Sequence, residues 1–332
     1  SSDLIYPIWF NTDFDWFFSF TLIIIISLST FAQYYFGIVN SLLLNADQKG
    51  YIQYIGQIIT LILNTVACYI LIKLGSSIQI VKLTTSLIFL LRPAFLVWYV
   101  NNNYHIDKRA TYSEEPIKQK WNGMAQHFAS YVLDGTDNIV LTIFSSLSNV
   151  SIYSVFNLVI LGVKNTLISL SNGFQSLLGD IIAKKENTKL THLFSYIEWS
   201  IHTATILMFG CTGILLQSFI DVYTSGINDA NYKQPLFAVL ITIANAVHCL
   251  RIPYHTLIKA AGHYKQTQNN YIIAMLLNII ISVSTVEIWG LIGVSIGTLI
   301  AMMYQTVWMA WYDSKNIIFW ENWNSFLSLS FF

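Results

Sequence analysis

Residues 16–46 read WFFSFTLIIIISLSTFAQYYFGIVNSLLLNA, a stretch without a single Asp, Glu, Lys or Arg. An α-helix rises 1.5 Å per residue, so about 20 apolar residues carry a chain across a hydrocarbon core roughly 30 Å thick. This stretch exceeds that length, and residues 50–72, 199–220, 266–286 and 288–312 match or exceed it too. Of all 332 residues, 55% are hydrophobic and only 10% are charged, against about 25% charged in soluble domains. An outer-membrane barrel would show alternating segments of about ten residues instead of these long runs. The reading is an all-α, polytopic membrane protein.

Nine spans are predicted, at 17–45, 51–73, 79–100, 121–145, 150–183, 192–220, 234–258, 267–287 and 289–312. Loops on one side hold Lys49, Lys108, Arg109, Lys118, Lys120, Lys184, Lys185, Lys189, Lys259, Lys265 and Lys315, whereas the other side holds only Lys73, Lys82 and Lys233. The positive-inside rule assigns the first set, and the C-terminus, to the cytoplasm. The net charge is zero, so the whole-chain balance points to no nucleic-acid partner. Cys68, Cys211 and Cys249 lie within spans, odd in number and without ligand spacing, and read as buried, reduced thiols. Gly290, Gly293 and Gly297 have the spacing of close helix packing. The opening SSDLIYPIWF has neither an initiator Met nor a basic signal-peptide region, so the chain is expected to be N-terminally incomplete.

The polar stretch 101–121, NNNYHIDKRATYSEEPIKQKW, reads as a connector between two lobes. A weak repeat agrees: residues 43–64 overlay residues 257–278, so that Ala46 meets Ala260 and Asn64 meets Asn278. The offset equals six spans, an even number, which keeps both copies in the same orientation, as in parallel transporter repeats. Residues 314–332 read as an interfacial helix or an aberrant tail.

Three of the 17 basic residues, Arg92, Lys164 and Arg251, fall inside spans, as do Asp134 and Asp137. At about 2.5 to 3.5 kcal/mol each, five such charges facing lipid would cost about 12 to 17 kcal/mol, so they must face protein or a wet cavity. At 100° per residue, Asn157, Lys164, Ser171 and Gln175 share one helix face, and His127, Ser130, Asp134, Asp137 and Asn138 share another. Arg92 aligns with Thr85 and Tyr99, while Arg251 lies near His248 and His255 in a segment that Pro253 bends. Arg92, Lys164, Arg251, Asn157, Gln175 and Tyr99 are the candidate substrate-binding residues. Asp134 and Asp137 are either an ion-coupling site or members of a structural ion pair. Glu198 and His202, i and i+4, are read as a local helix pair, and Asp180 and Glu287 as solvated helix ends. No nucleophile elbow, phosphate loop or metal spacing is present, so neither enzyme chemistry, a cofactor nor a metal is called for.

Five blocks carry a family resemblance: YYFGIVNSLLLNADQKGYI (34–52), LLRPAFLVWYVNNNYHID (90–107), ASYVLDGTDNIVLTIF (129–144), VFNLVILGVKNTLISLSNGFQSLLGD (155–180) and LRIPYHTLIKAAGHYKQTQNNY (250–271). They resemble the polysaccharide transporters of the multidrug/oligosaccharidyl-lipid/polysaccharide exporter superfamily, the flippases for O-antigen, capsule or exopolysaccharide repeat units. The resemblance implies two six-helix lobes around a cavity that opens alternately to either side of the bacterial plasma membrane. Residues 1–105 would then be the last three helices of the first lobe, 106–120 the connector and 121–313 the complete second lobe, with about three helices missing at the start. The implied cargo is a polyprenyl-diphosphate-linked oligosaccharide, with membrane lipids and other polysaccharide-assembly proteins as partners. A cationic cavity suits that diphosphate, because Arg offers a fork to phosphate oxygens and Lys a point charge. The alternatives are a cation-coupled multidrug exporter, which would center on Asp134 and Asp137, and a membrane polysaccharide polymerase, which the short outward loops disfavour.

Overall fold

The computed structural model describes residues 16–105, 119–227 and 230–318. The expectations for residues 1–15, for most of the connector at 106–120 and for most of the tail at 314–332 lie outside that range. Among the described residues all regular structure is helical, and it falls into two compact units, Ser1–Ser113 and Glu114–Phe332.

The first unit contains α1 (Trp16–Ala32), a π-helical turn (Gln33–Gly37), α2 (Ile38–Ala46), α3 (Tyr51–Lys73) and α4 (Ile78–Asn103). The first three pieces run on as one apolar span, and α4 packs against both that span and α3. Polar ties cross the helices: Ser86 Oγ donates to the Ile25 carbonyl at 2.7 Å, and Gln79 Nε2 to Thr21 Oγ1 at 3.0 Å. Pro93 stands inside α4, where it has no N–H to give the preceding turn. Gly37 lies opposite it, and a Cβ on Gly37 would come within 3.5 Å of the Pro93 Cβ. The π-turn widens the helix at that point, as such insertions do near functional sites. Leu44, Ile52, Leu96 and Val100 close the far end as a small core. Beyond it, Asp47 accepts from Tyr104 Oη at 2.5 Å and pairs with Lys49 Nζ at 2.7 Å. That ammonium holds the Asp47 carboxyl below its ordinary range, with the Tyr104 hydroxyl adding to the effect.

The second unit runs α5 (Lys120–Phe144), α6 (Leu147–Ser171), α7 (Phe174–Ala183), α8 (Asn187–Tyr223), α9 (Pro235–Leu250), α10 (Ile252–Ala260), α11 (Tyr264–Trp289) and α12 (Leu291–Asn316). Ser146 caps α6 by accepting from Asn149 N at 3.2 Å, and Pro235 opens α9 where its missing N–H costs nothing. α12 packs along α11 because two of the three glycines permit it. A Cβ at Gly297 would collide with Ser282 Oγ, and one at Gly293 would stand 2.6 Å from the Thr285 carbonyl oxygen. Gly290 has a different task, turning the chain between the two helices at φ +53°.

Eight segments of the described residues are both long and apolar enough to cross a membrane. α5, the ninth expected span, has the length at 25 residues but not the apolarity, because Gln126, His127, Asp134, Asp137 and Asn138 lie along it. α8 has 37 residues, about 55 Å, so it outreaches the hydrocarbon core and starts before the expected position 192. The thiols are free, but the expectation that all three are buried is corrected: Cys249 is buried, Cys68 half-buried and Cys211 exposed. Cys211 sits on an exposed face of α8 among apolar neighbours such as Leu207, Ile214 and Leu215.

Candidate functional site

In the first unit, Arg92 opens onto a cavity of about 440 Å³ lined also by Gln33, Tyr34, Ser41, Gln53 and Pro93. The π-turn supplies Gln33, Tyr34 and Gly37, so the widened helix and the proline-interrupted α4 together make the space beside the guanidinium. Gln53 Nε2 is tied to Asn45 Oδ1 at 2.8 Å, which fixes one wall. Arg92 is half-buried and forms no ion pair among the described residues. Tyr99, two turns further along α4, is half-buried with its ring 6.2 Å from Phe95 and is not among the residues lining the cavity. Thr85 is engaged elsewhere, by the Val81 carbonyl at 3.0 Å and Cys68 Sγ at 3.5 Å.

In the second unit, three candidates converge. Lys164 Nζ of α6 lies 3.0 Å from Asp134 Oδ1 of α5; the lysine side chain is 9% exposed and the aspartate 49%. Arg251 is buried at the break between α9 and α10, its Nη2 3.2 Å from His248 Nδ1 and its Nη1 unpaired. His248 is close enough to feel both Lys164 and Arg251. Lys164 and Arg251 thus have one carboxylate, Asp134, between them, so this cluster carries an excess of positive charge.

Asp137, one turn on from Asp134, turns away from these bases. It is 5% exposed and accepts from Tyr153 Oη at 3.0 Å and Thr298 Oγ1 at 2.7 Å, while Asn278 Nδ2 reaches Thr298 Oγ1 at 2.9 Å. The two aspartates therefore have different surroundings despite their shared stripe. The stripe on α6 also divides. Asn157 is half-buried and Ser171 buried, but the helix breaks at residues 172–173, and Gln175 lies exposed on α7.

The expected local pair of Glu198 and His202 does not form. His202 Nε2 contacts the Leu250 carbonyl at 2.9 Å, and Glu198 accepts from Tyr254 Oη at 2.5 Å. Their shared face packs against α9 and α10, where stronger buried partners replace a solvated i, i+4 contact. Asp180 pairs with Lys184 at 2.6 Å, and Glu287 is exposed. Sequence reasoning missed Gln33, Gln53, Tyr153, Asn278, Thr298 and Asp313. Gln33 and Gln53 were visible as polar residues within charge-free runs. Asp313 was hidden because the first charge after such a run reads as its solvated end.

No family model matches the chain, and no curated protein does. Solved structures do match in shape. A MATE structure in complex with MaL6 superposes with a TM-score of 0.74 at 12% identity, over 95% of this chain and 76% of that one. An outward-facing multidrug resistance MATE family transporter of the MOP superfamily gives a TM-score of 0.68 at 13% identity, over 94% of this chain and 73% of that one. The chain has the all-α, polytopic membrane fold of the MATE transporters.

Proposed function

We propose that this chain belongs to a flippase that carries a polyprenyl-diphosphate-linked oligosaccharide across the membrane. The observation that carries the reading is Arg92 beside a polar cavity, with no carboxylate paired to it among the described residues. A diphosphate offers the paired oxygens that a guanidinium fork engages, and Gln33, Ser41 and Gln53 offer amide and hydroxyl groups of the kind that bind sugar hydroxyls. The excess of bases around Lys164, Arg251 and His248 supports the same anionic cargo, although a single acid is paired there.

A cation-coupled multidrug exporter is the second reading, favoured by the MATE likeness and by the buried Asp137. Binding separates the two. With the chain purified into lipid nanodiscs, Arg92→Ala is expected to weaken binding of a fluorescent polyprenyl-diphosphate saccharide by about 10 to 150-fold, the loss of one charge-assisted contact of roughly 1.5 to 3 kcal/mol. Arg92→Lys should keep part of the affinity, since the charge survives without the fork. Unchanged affinity in Arg92→Ala, with a lipophilic cation bound in its place and lost in Asp137→Asn, would establish the exporter reading instead.

A further inference from the structure

Tyr304, Trp308, Trp311 and Lys315 recur at i, i+4, i+7 and i+11, so they lie along one face of α12. A surface groove of about 490 Å³ opens there, lined by Met303, Tyr304, Val307, Trp308 and Trp311, with no charged residue among them. Its wall is braced from behind. Trp308 stacks on Tyr312, ring centroids 5.1 Å apart and planes at 13°, and Tyr312 Oη lies 3.0 Å from His263 Nδ1 in the turn between α10 and α11. Met303, Val307 and Trp311 remain exposed. From residue 303 to 311 the groove follows about 12 Å of helix, most of the roughly 15 Å of hydrocarbon in one leaflet. At its end Lys315 Nζ stands 5.2 Å over the Trp311 ring, and Lys315 is exposed and forms no ion pair among the described residues.

The His263 contact also brings the turn that carries Lys259 and Lys265 to this end of the unit. Asp313, the acid nearest to Lys315 along the helix, is 1% exposed and lies on another face. An apolar groove that ends at an unpaired base matches an amphiphile with a hydrocarbon chain and an anionic head. Trp and Lys at the end of a span sit at headgroup level, and an anionic leaflet attracts such bases. Methionine adapts its shape to a flexible chain. A second copy related by a two-fold axis along the membrane normal would instead bring two Lys315 side chains together. We propose that this groove and Lys315 form a binding site for one anionic phospholipid, its acyl chain along residues 303–311 and its phosphate at Lys315. The site uses no part of the Arg92 cavity, so it holds for either cargo.

The test is quenching of tryptophan fluorescence in the purified chain, held in phosphatidylcholine nanodiscs that contain a small fraction of brominated phosphatidylglycerol or of brominated phosphatidylcholine. At equal low mole fraction the brominated phosphatidylglycerol is expected to quench more, and the excess should saturate. Lys315→Gln, an exposed change that leaves the fold alone, should raise the fraction needed for half of that excess about fivefold, the worth of one basic residue beside an anionic leaflet. Lys315→Arg should restore it. The double variant Trp308→Phe/Trp311→Phe should lose the excess, because its reporters line the groove. Equal quenching by the two lipids in the wild type would mean ordinary bilayer contact and overturn the proposal. An excess that persists unchanged in Lys315→Gln, or in the double variant, would place the lipid elsewhere and overturn it too.

Discussion

Lys164 and Asp134 make an unequal pair, since the ammonium is 9% exposed and the carboxylate 49%. Removing one partner of a buried pair is costly chiefly for the charge left behind. Asp134→Asn leaves Lys164 buried beside His248 and Arg251 with no counter-charge, so it should destabilise the second unit by up to about 3 kcal/mol. Lys164→Met leaves a half-exposed carboxylate that water can solvate, and a linear apolar side chain fills the space, so its cost should be smaller. Thermal unfolding of the two variants in one detergent checks the order, and a lower midpoint for Lys164→Met than for Asp134→Asn would refute it. The same residue-scale logic explains why Asp137 needs no base: three hydrogen-bonding side chains surround it in a network.

At the scale of elements, the contact of α11 with α12 depends on missing side chains. A Cβ at Gly297 would meet Ser282 Oγ and stand 3.0 Å from Ser282 N, backbone that cannot move aside cheaply. Gly297→Leu should therefore lower the unfolding midpoint by an amount matching overpacking costs of about 1 to 3 kcal/mol or more. Gly162 on α6 is the comparison, because a Cβ there would meet nothing within 4 Å. Gly162→Leu should hold or raise the midpoint, as leucine is the better helix former. Equal effects of the two changes would show that α11 and α12 can separate without loss.

For the whole molecule, the eleven basic residues expected on one side against three on the other predict the orientation. The turn after α7 holds Lys184 and Lys185, exposed and therefore open to reagents. In a version with Cys68, Cys211 and Cys249 replaced by serine, a cysteine at position 185 should resist a membrane-impermeant maleimide in intact cells and react after lysis. A cysteine at Lys233, in the loop before α9, should react in intact cells. The reverse pattern would invert the predicted orientation.

The sequence by itself determined the solvent and the architecture of the chain. A bilayer tolerates only backbone that satisfies its own hydrogen bonds, so long charge-free runs such as 16–46 had to be helices, and their ends were legible to within a few residues. It also singled out Arg92, Lys164, Arg251, Asp134 and Asp137, because a charge within a span needs a reason. Helical spacing gave each of these a face but not a neighbour. Only the tertiary structure decided that Asp134 meets Lys164 while Asp137, 60° round the same helix, meets Tyr153 and Thr298. It alone brought Tyr254 to Glu198, 56 positions apart, since the packing of α10 against α8 is fixed by contacts between distant segments that no local period encodes.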